Sequence, residues 1–301
     1  GQMKGRIIMS KIAVIGATGN YGGKAIEYLL ERGVKPNDVI AIYRNEEKAL
    51  PLREKGLEAR YGDYQGKSFG PKVFQGAEKL LFVSGIDPDN LTRIKNHITV
   101  VDAARQAGVK HIVYTGLAYP ERAHLGMESV HLATEYAIKA AAIPYTFLRN
   151  TFYTDFFLVP QELKRAVDGG KLFTLAQGKK MNFVSRDDMA KSAAVVLTTE
   201  GHVNKIYEIT APQAYSYHDI ADILAEVSGK KVEYAETTRE RYAAYLTELG
   251  VPAELQMWDS GMMQPGFADG WGETTDSALS DLIGADNIKT PKQIIQEIFK
   301  R

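Results

Sequence analysis

The sequence predicts an α/β protein: a Rossmann-type, doubly wound parallel sheet with a smaller α+β C-terminal lobe. Three observations carry this expectation. Short apolar runs alternate with amphipathic stretches through the first 150 residues, a glycine triplet follows the first apolar run, and the rhythm loosens beyond about residue 155. Strict alternation of strand and helix produces a parallel sheet with right-handed crossovers and helices on both faces.

Taken in order, KIAVIG (11–16) is a buried strand and NYGGKAIEYLLERG (20–33) an amphipathic helix closed by Gly33. DVIAIYR (38–44) is the second strand, with a helix over 45–55 after it. LEARYGD (57–63) and EKLLFVSG (78–85) are the third and fourth strands, and a long helix over 90–107 stops at Gly108. KHIVYTG (110–116) is the fifth strand, SVHLATEYAIKAA (129–141) a helix and IPYTFLRN (143–150) a strand. Further on, GGKLFTLAQGKKMNFVS (169–185) reads as a hairpin and RDDMAKSAAVVLTTEG (186–201) as a helix rejoining the core, with Asp187 and Asp188 suited to its first turn. KIYEIT (205–210) and KVEYAET (231–237) are short strands around the helix SYHDIADILAEVSG (216–229). From 238 the chain is mostly helical, and the segment MWDSGMMQPGFADGWG (257–272), with its aromatics, glycines and Pro265, suits a lid. No repeat or low-complexity linker interrupts the chain. The expected division is a Rossmann-type domain over 1–155 and a smaller lobe over 156–301, part of which returns to the sheet.

Composition narrows the function classes. The 301 residues are 45% hydrophobic, enough for a large core, and 37 basic residues balance 37 acidic ones, which argues against nucleic-acid or membrane binding through bulk charge. The absence of cysteine excludes disulfides and thiolate chemistry. The N-terminal GQMKGRIIMSK lacks the apolar core of a signal peptide, and no segment reaches the ~20 apolar residues of a membrane span. A cytoplasmic protein, monomer or homodimer, is expected. The six histidines show no metal-ligand spacing, so no metal is expected.

The stretch IGATGNYGG places Gly16, Gly19 and Gly22 between the first strand and first helix. Gly16 permits the tight turn, Gly19 lets the backbone approach a pyrophosphate, and Gly22 allows helix and strand to pack closely; the helix N-terminus then offers N–H groups to phosphate. The competing reading is a plain glycine-rich turn, but the strand-to-helix context favours a dinucleotide. The second strand ends in Arg44, where an acidic residue normally holds the ribose hydroxyls of NAD. An arginine there suits a 2′-phosphate, with Lys48 one turn further as a second cation, unless Arg44 is merely a solvated strand end. NADPH is the expected cofactor, with NADH also possible.

Together GATGNYGG, AIYRN, GDY, KHIVYTG, HLATEYAI and IPYTFLRNTFYTDFF resemble the NmrA-like, atypical short-chain dehydrogenase/reductase family, in particular its quinone oxidoreductase type 2 and triphenylmethane reductase branch. The resemblance covers residues 11 to 230 well and continues more loosely beyond. It implies that Gly16, Thr18, Gly19, Asn20, Tyr21 and Gly22 hold the pyrophosphate and that Arg44 and Lys48 hold the 2′-phosphate. It further places Asp63 and Tyr64 near the adenine, Ser84 and Gly85 along the middle of the cofactor, and Thr115 near the nicotinamide ribose. Asn150, Thr151, Phe152 and Tyr153 wrap the nicotinamide and border the substrate pocket, with His131 and Tyr153 as candidate catalytic side chains.

One departure from the wider superfamily matters most. The usual tyrosine and lysine at spacing four are replaced by His131 and Glu135, and YAIK (136–139) has its lysine at spacing three. Reduction of an unactivated ketone needs an acid for the developing alkoxide. Two explanations compete: a catalytically silent NADP(H)-binding redox sensor, or a reductase whose acceptor is electrophilic enough to need no acid. Quinones and cationic triarylmethane dyes fit the second, because positioning of cofactor and acceptor in an apolar slot suffices. The material for such a slot is Phe152, Tyr153, Phe156 and Phe157, then Trp258, Met262, Met263, Phe267 and Trp271, although Phe156 and Phe157 equally suit the core and the methionines gap filling. His131 has three readings: proton donor, substrate-orienting donor, or locally packed histidine. Glu135 four residues on would hold its pKa near neutrality or above, unless Glu135 pairs with Lys139 on a solvated surface.

Overall fold

The computed structural model describes residues 10–300. The N-terminal stretch read for a signal segment lies outside them up to Met9. The described chain opens with β1 (Ile12–Ile15), α1 (Asn20–Glu31), β2 (Val39–Tyr43), α2 (Ala49–Glu54), β3 (Glu58–Tyr61), β4 (Lys79–Phe82), α3 (Asn90–Gln106) and β5 (His111–Leu117). It continues through α4 (Glu128–Ala140), β6 (Tyr145–Asn150), α5 (Thr154–Phe157), α6 (Pro160–Gly169), β7 (Lys171–Thr174), α7 (Arg186–Thr198) and β8 (Lys205–Ile209). It closes with α8 (Tyr217–Ser228), β9 (Glu233–Glu236), α9 (Arg239–Glu248), α10 (Ala253–Gln256), α11 (Ser260–Met263), α12 (Ala278–Ile283) and α13 (Pro291–Ile298).

Seven strands form one parallel sheet in the order β3-β2-β1-β4-β5-β6-β8. The alternation of strand side chains divides the core. Ile12 and Val14 point into the layer formed with α1, α7 and α12, whereas Ala13 and Ile15 point into the layer formed with α3 and α4. Strand order reverses between β1 and β4, so a crevice opens at their C-terminal ends, the usual ligand position in a sheet of this kind. Residues beyond 155 supply both α7 and β8 to this body, and a separate apolar cluster in the lobe joins α6 and α8 through Leu163, Val167, Ile220 and Leu224. No described helix is long and apolar enough to cross a membrane.

Two local expectations fail. The stretch 169–185 is no hairpin: β7 pairs in parallel with β9, and Met181 bridges antiparallel to Tyr215. Gln177 and Gly178 do turn the chain, but their N–H groups donate to the Glu236 carboxylate and the Tyr234 hydroxyl, so each arm is captured by a distant partner. The helix expected over 45–55 is a 3₁₀ turn (Glu46–Lys48), capped by Asn45, followed by the shorter α2. Pro51 has no N–H to continue an earlier helix and is tolerated only in a first turn. The segment 257–272 folds as α11 and two 3₁₀ turns; Phe267 and Trp271 are buried, while Met257 and Trp258 are exposed.

Candidate active site

The loop between β1 and α1 is shaped by its glycines. Gly16 adopts φ +84°, a left-handed conformation that side chains disfavour, and a Cβ there would sit 3.1 Å from Val83 Cβ. A Cβ on Gly22 would lie 2.1 Å from the Gly16 carbonyl oxygen, so only glycine lets the helix start against the turn. Gly19 is the extended N-cap residue and supplies no side-chain cap, which leaves the first-turn N–H groups of α1 directed at whatever occupies the crevice. Asn20 is exposed and Thr18 half-buried. Tyr21 is buried instead: its hydroxyl donates to the Met189 carbonyl at 3.4 Å, and its ring lies 6.5 Å from that of Tyr153.

Beyond the β2 end, Arg44 is exposed with its guanidinium 5.3 Å above the Tyr64 ring; Lys48 is also exposed. Asp63 turns the chain by accepting from Gln65 N at 3.0 Å. Arg44, Tyr64, Gly85, Ile86, Arg93 and His97 line a cavity of about 240 Å³. Gly85 is wedged here, since a Cβ would approach Tyr64 Oη at 3.2 Å and His97 Nε2 at 3.3 Å. His97 Nε2 accepts from Gly85 N at 2.9 Å, and its Nδ1 lies 2.8 Å from Thr134 Oγ1, which itself donates to the Val130 carbonyl at 2.7 Å. That chain puts the ring proton on Nδ1, and burial, then Arg93, drives the pKa down to about 3. Sequence reasoning missed Arg93 and His97. Their signal was present: polar residues at 93, 96 and 97 begin the same stripe of α3 that continues as Val100, Val101 and Ala104.

At the opposite end of the crevice lie the C-terminal residues of β5 and β6. Thr115 Oγ1 accepts from Ser84 N at 2.9 Å, a bond that fixes the β4 loop and engages the hydroxyl internally. Thr151 Oγ1 likewise donates to the Asn182 carbonyl at 3.1 Å. Asn150 differs: it is 5% exposed, and its buried Oδ1 has no hydrogen-bond partner. Phe152 packs on Phe157, Phe267 and Trp271 at ring separations of 5.4, 6.0 and 5.5 Å, and Trp271 Nε1 donates to the Ala118 carbonyl at 2.9 Å. Tyr153 carries the Arg186 guanidinium over its ring at 4.7 Å, a cation that went unremarked in the sequence, and burial pushes its hydroxyl up to about 12. Phe157 belongs to the core and Phe156 is exposed.

The pair expected on α4 does not form. His131 is buried and its Nδ1 meets Tyr114 Oη at 2.7 Å. Burial, then the positive charge of Arg93, holds its pKa well below the usual imidazole range, so the ring is neutral. Glu135, also buried, turns to Arg149: Nε to Oε2 at 3.0 Å and Nη2 to Oε1 at 2.7 Å. Arg149 reaches Glu208 and Glu121 as well, at 2.9 and 3.2 Å. A guanidinium offers two parallel donors to one carboxylate, which an imidazole cannot match. Lys139 is no partner to Glu135 either; its ammonium lies 5.8 Å from the Tyr145 ring. The expectation of a charged, Glu135-supported His131 is therefore corrected: the ring is neutral, its Nδ1 is held by Tyr114, and Glu135 is held by Arg149.

The chain as a whole is similar to known proteins. The model of the NmrA-like family matches residues 9–264. Quinone oxidoreductase 2 of Escherichia coli is 34% identical over 277 residues, covering 91% of this chain and 93% of that protein. NAD(P)H azoreductase of Xenophilus azovorans is 26% identical over 245 residues, covering 81% of this chain and 83% of its own. Among solved structures, the triphenylmethane reductase of Citrobacter sp. complexed with NADP(H) superposes with a TM-score of 0.90 at 41% identity, covering 96% of this chain and 99% of that one.

Proposed function

The chain belongs to the NmrA-like family, and from that premise we propose that it is an NADPH-dependent reductase that passes a hydride to a quinone or a similarly electrophilic aromatic acceptor. The relatives named for quinone, azo and triphenylmethane reduction support this class of acceptor. The residues present fit the cofactor on two independent counts. A Cβ at position 22 would collide with the Gly16 carbonyl and push the α1 N-terminus away from the phosphate loop, and the orphaned Asn150 Oδ1 is a buried acceptor suited to the carboxamide of a nicotinamide. When bound, NADPH supplies the hydride.

The chain's own groups do the rest. The α1 N-terminus and glycine loop receive the pyrophosphate, and Arg44, with Lys48 nearby, receives the 2′-phosphate that an acidic residue would repel. Asp63 and Tyr64 border the adenine, and Ser84 and Gly85 the middle of the cofactor. Phe152, Tyr153 and Trp271 form an apolar wall where the nucleotide-binding part (1–155) meets the lobe (156–301), excluding water and aligning a flat acceptor. The absence of cysteine suits a reducing compartment, and we place the protein in the cytoplasm.

The observation that carries the choice of acceptor is the state of His131. It is buried, its Nδ1 is engaged with Tyr114, and its ring stays uncharged at neutral pH, so it is not an imidazolium acid. An alkoxide formed from a ketone would find no imidazolium at this position to protonate it. A hydroquinone anion is delocalised and takes its proton from water, and a cationic dye carbon needs none. The test follows the loss of NADPH absorbance with several simple quinones and a cationic triarylmethane dye, with NADPH binding measured alongside. Turnover with a quinone is expected. Tight NADPH binding without turnover on any acceptor would replace this reading with a nucleotide-sensing regulator.

A further inference from the structure

A second cavity, of about 50 Å³, lies in the C-terminal lobe among α6, β7, α8, α9 and the start of α11. That is several times the ~10–15 Å³ that one water needs. Phe157, which packs on Phe152, forms part of its wall, so it lies behind the aromatic residues of the crevice. Hydride transfer makes no use of it.

Two carboxylates from different elements face this space. Glu162, in the first turn of α6, accepts from Ser260 Oγ through Oε2 at 2.8 Å. Asp259, the N-cap of α11, accepts through Oδ1 from Tyr242 Oη at 2.7 Å and Gly261 N at 2.9 Å. Glu162 and Asp259 are also hydrogen-bond partners of one another, which requires one of the two carboxyl groups to carry a proton. A third oxygen faces the same space: Tyr217 is 2% exposed, lines the cavity, and its hydroxyl has no hydrogen-bond partner. Adjacent buried carboxylates repel, and burial together with Asp259 pushes Glu162 up to about 7, so the pair holds a proton in place of a missing cation. Arg165 and Lys171, both exposed, are the basic residues lining the cavity. The remaining wall is mainly apolar: Leu163, Leu172 and Leu246 stand beside Phe173 and Tyr245, whose rings are 5.1 Å apart, and Gln264 adds one amide.

We propose that this cavity binds the ammonium head of a small primary alkylamine, with Glu162, Asp259 and Tyr217 receiving its three N–H donors and Tyr245 and Phe173 covering its stem. The match is one of number and kind. A primary ammonium has three donors and no acceptor, and aromatic faces attract a cation. Hard metal cations prefer six or more oxygens, which three do not supply. Arg165 and Lys171 oppose a second positive charge and so favour a monoamine over a diamine. Binding displaces the proton on Glu162 to solvent.

The full chain is titrated calorimetrically with propylammonium, tetramethylammonium and potassium chlorides at constant ionic strength, in two buffers of different ionisation heat. Saturable binding of propylammonium is expected, with partial proton release at neutral pH that disappears at higher pH. Tetramethylammonium, which has no N–H, and potassium should give no saturable heat. Glu162→Gln and Tyr217→Phe should each weaken propylammonium binding at least about tenfold, the loss of one hydrogen bond to a charged group. No saturable heat with propylammonium, equal binding of potassium or tetramethylammonium, or undiminished binding by Glu162→Gln would each overturn the proposal. The three-cation comparison on the unaltered chain decides the matter even where a variant does not fold.

Discussion

The two ends of the parallel sheet treat their polar groups in opposite ways. At the N-terminal end every buried group named here is engaged: Lys79 Nζ donates to the Leu197 carbonyl at 2.8 Å, and His111 Nε2 meets Thr146 Oγ1 at 2.8 Å. Thr146 in turn donates to the His202 carbonyl, and the His202 ring meets Thr199 and Tyr207 at 2.7 and 2.8 Å. At the C-terminal end Asn150 Oδ1 has no partner, α1 lacks a side-chain cap and Arg44 is exposed. The closed end is a structural joint, and the open end is prepared for a ligand that completes it. His131 sits near the open end but is wired like the closed one. Position alone therefore misleads, and the state of each hydrogen bond decides what a residue does.

Four substitutions or conditions probe this contrast, in descending order of effect. Gly22→Val should abolish NADPH binding outright, because its side chain would collide with the Gly16 carbonyl; equilibrium binding by nucleotide fluorescence measures the loss. Arg149→Leu should cost about 3–5 kcal/mol of unfolding free energy by leaving Glu135 buried and unpaired, read from denaturant midpoints. A stability unchanged by this substitution would mean that the Arg149 network is not a buried joint. Arg44→Ala should weaken NADPH by about 1.5–3 kcal/mol, roughly tenfold to a hundredfold, while leaving NADH affinity nearly unaltered. Equal losses for the two nucleotides would remove Arg44 from 2′-phosphate recognition.

The smallest effect per group is that of acid. His97, His111, His131 and His202 all have folded pKa values depressed below the unfolded one, chiefly by burial. The folded state then binds fewer protons than the unfolded chain below about pH 6.5. Stability is full above that pH and falls as pH drops toward the folded values, about 4 for His111 and about 3 for His97. Each fully buried ring should contribute a loss of at most about 2 kcal/mol between pH 6.5 and 5. Unfolding free energy measured across that window should decline steeply, and a flat profile would show that these rings are not held neutral.

Much of the open end was legible in the sequence because its signals are local. The glycine spacing, the strand before it and Arg44 at the second strand's end all lie within residues 11–44, and each answers to a steric or charge demand of its own. The partner of Glu135 was not legible. Helical spacing brings His131 and Glu135 to one face, but nothing in α4 reports that the next strand delivers a guanidinium to the same carboxylate. The hairpin expectation failed for a related reason. Gly178 does turn the chain, yet the pairing of β7 with β9 spans about sixty residues, beyond any turn signal. Asn150 could be placed at the crevice by resemblance, but that its oxygen is left without a partner is a property of the packed structure alone.

The most direct test of the central claim, that this chain transfers hydride without a protein acid, is the single-turnover rate of quinone reduction by His131→Asn with NADPH already bound. Our account predicts a rate within about threefold of the unaltered protein and no change in its pH profile near neutrality, since His131 is uncharged there. A fall of about a hundredfold or more, accompanied by loss of a pH inflection and with NADPH binding intact, would contradict it and make His131 the acid.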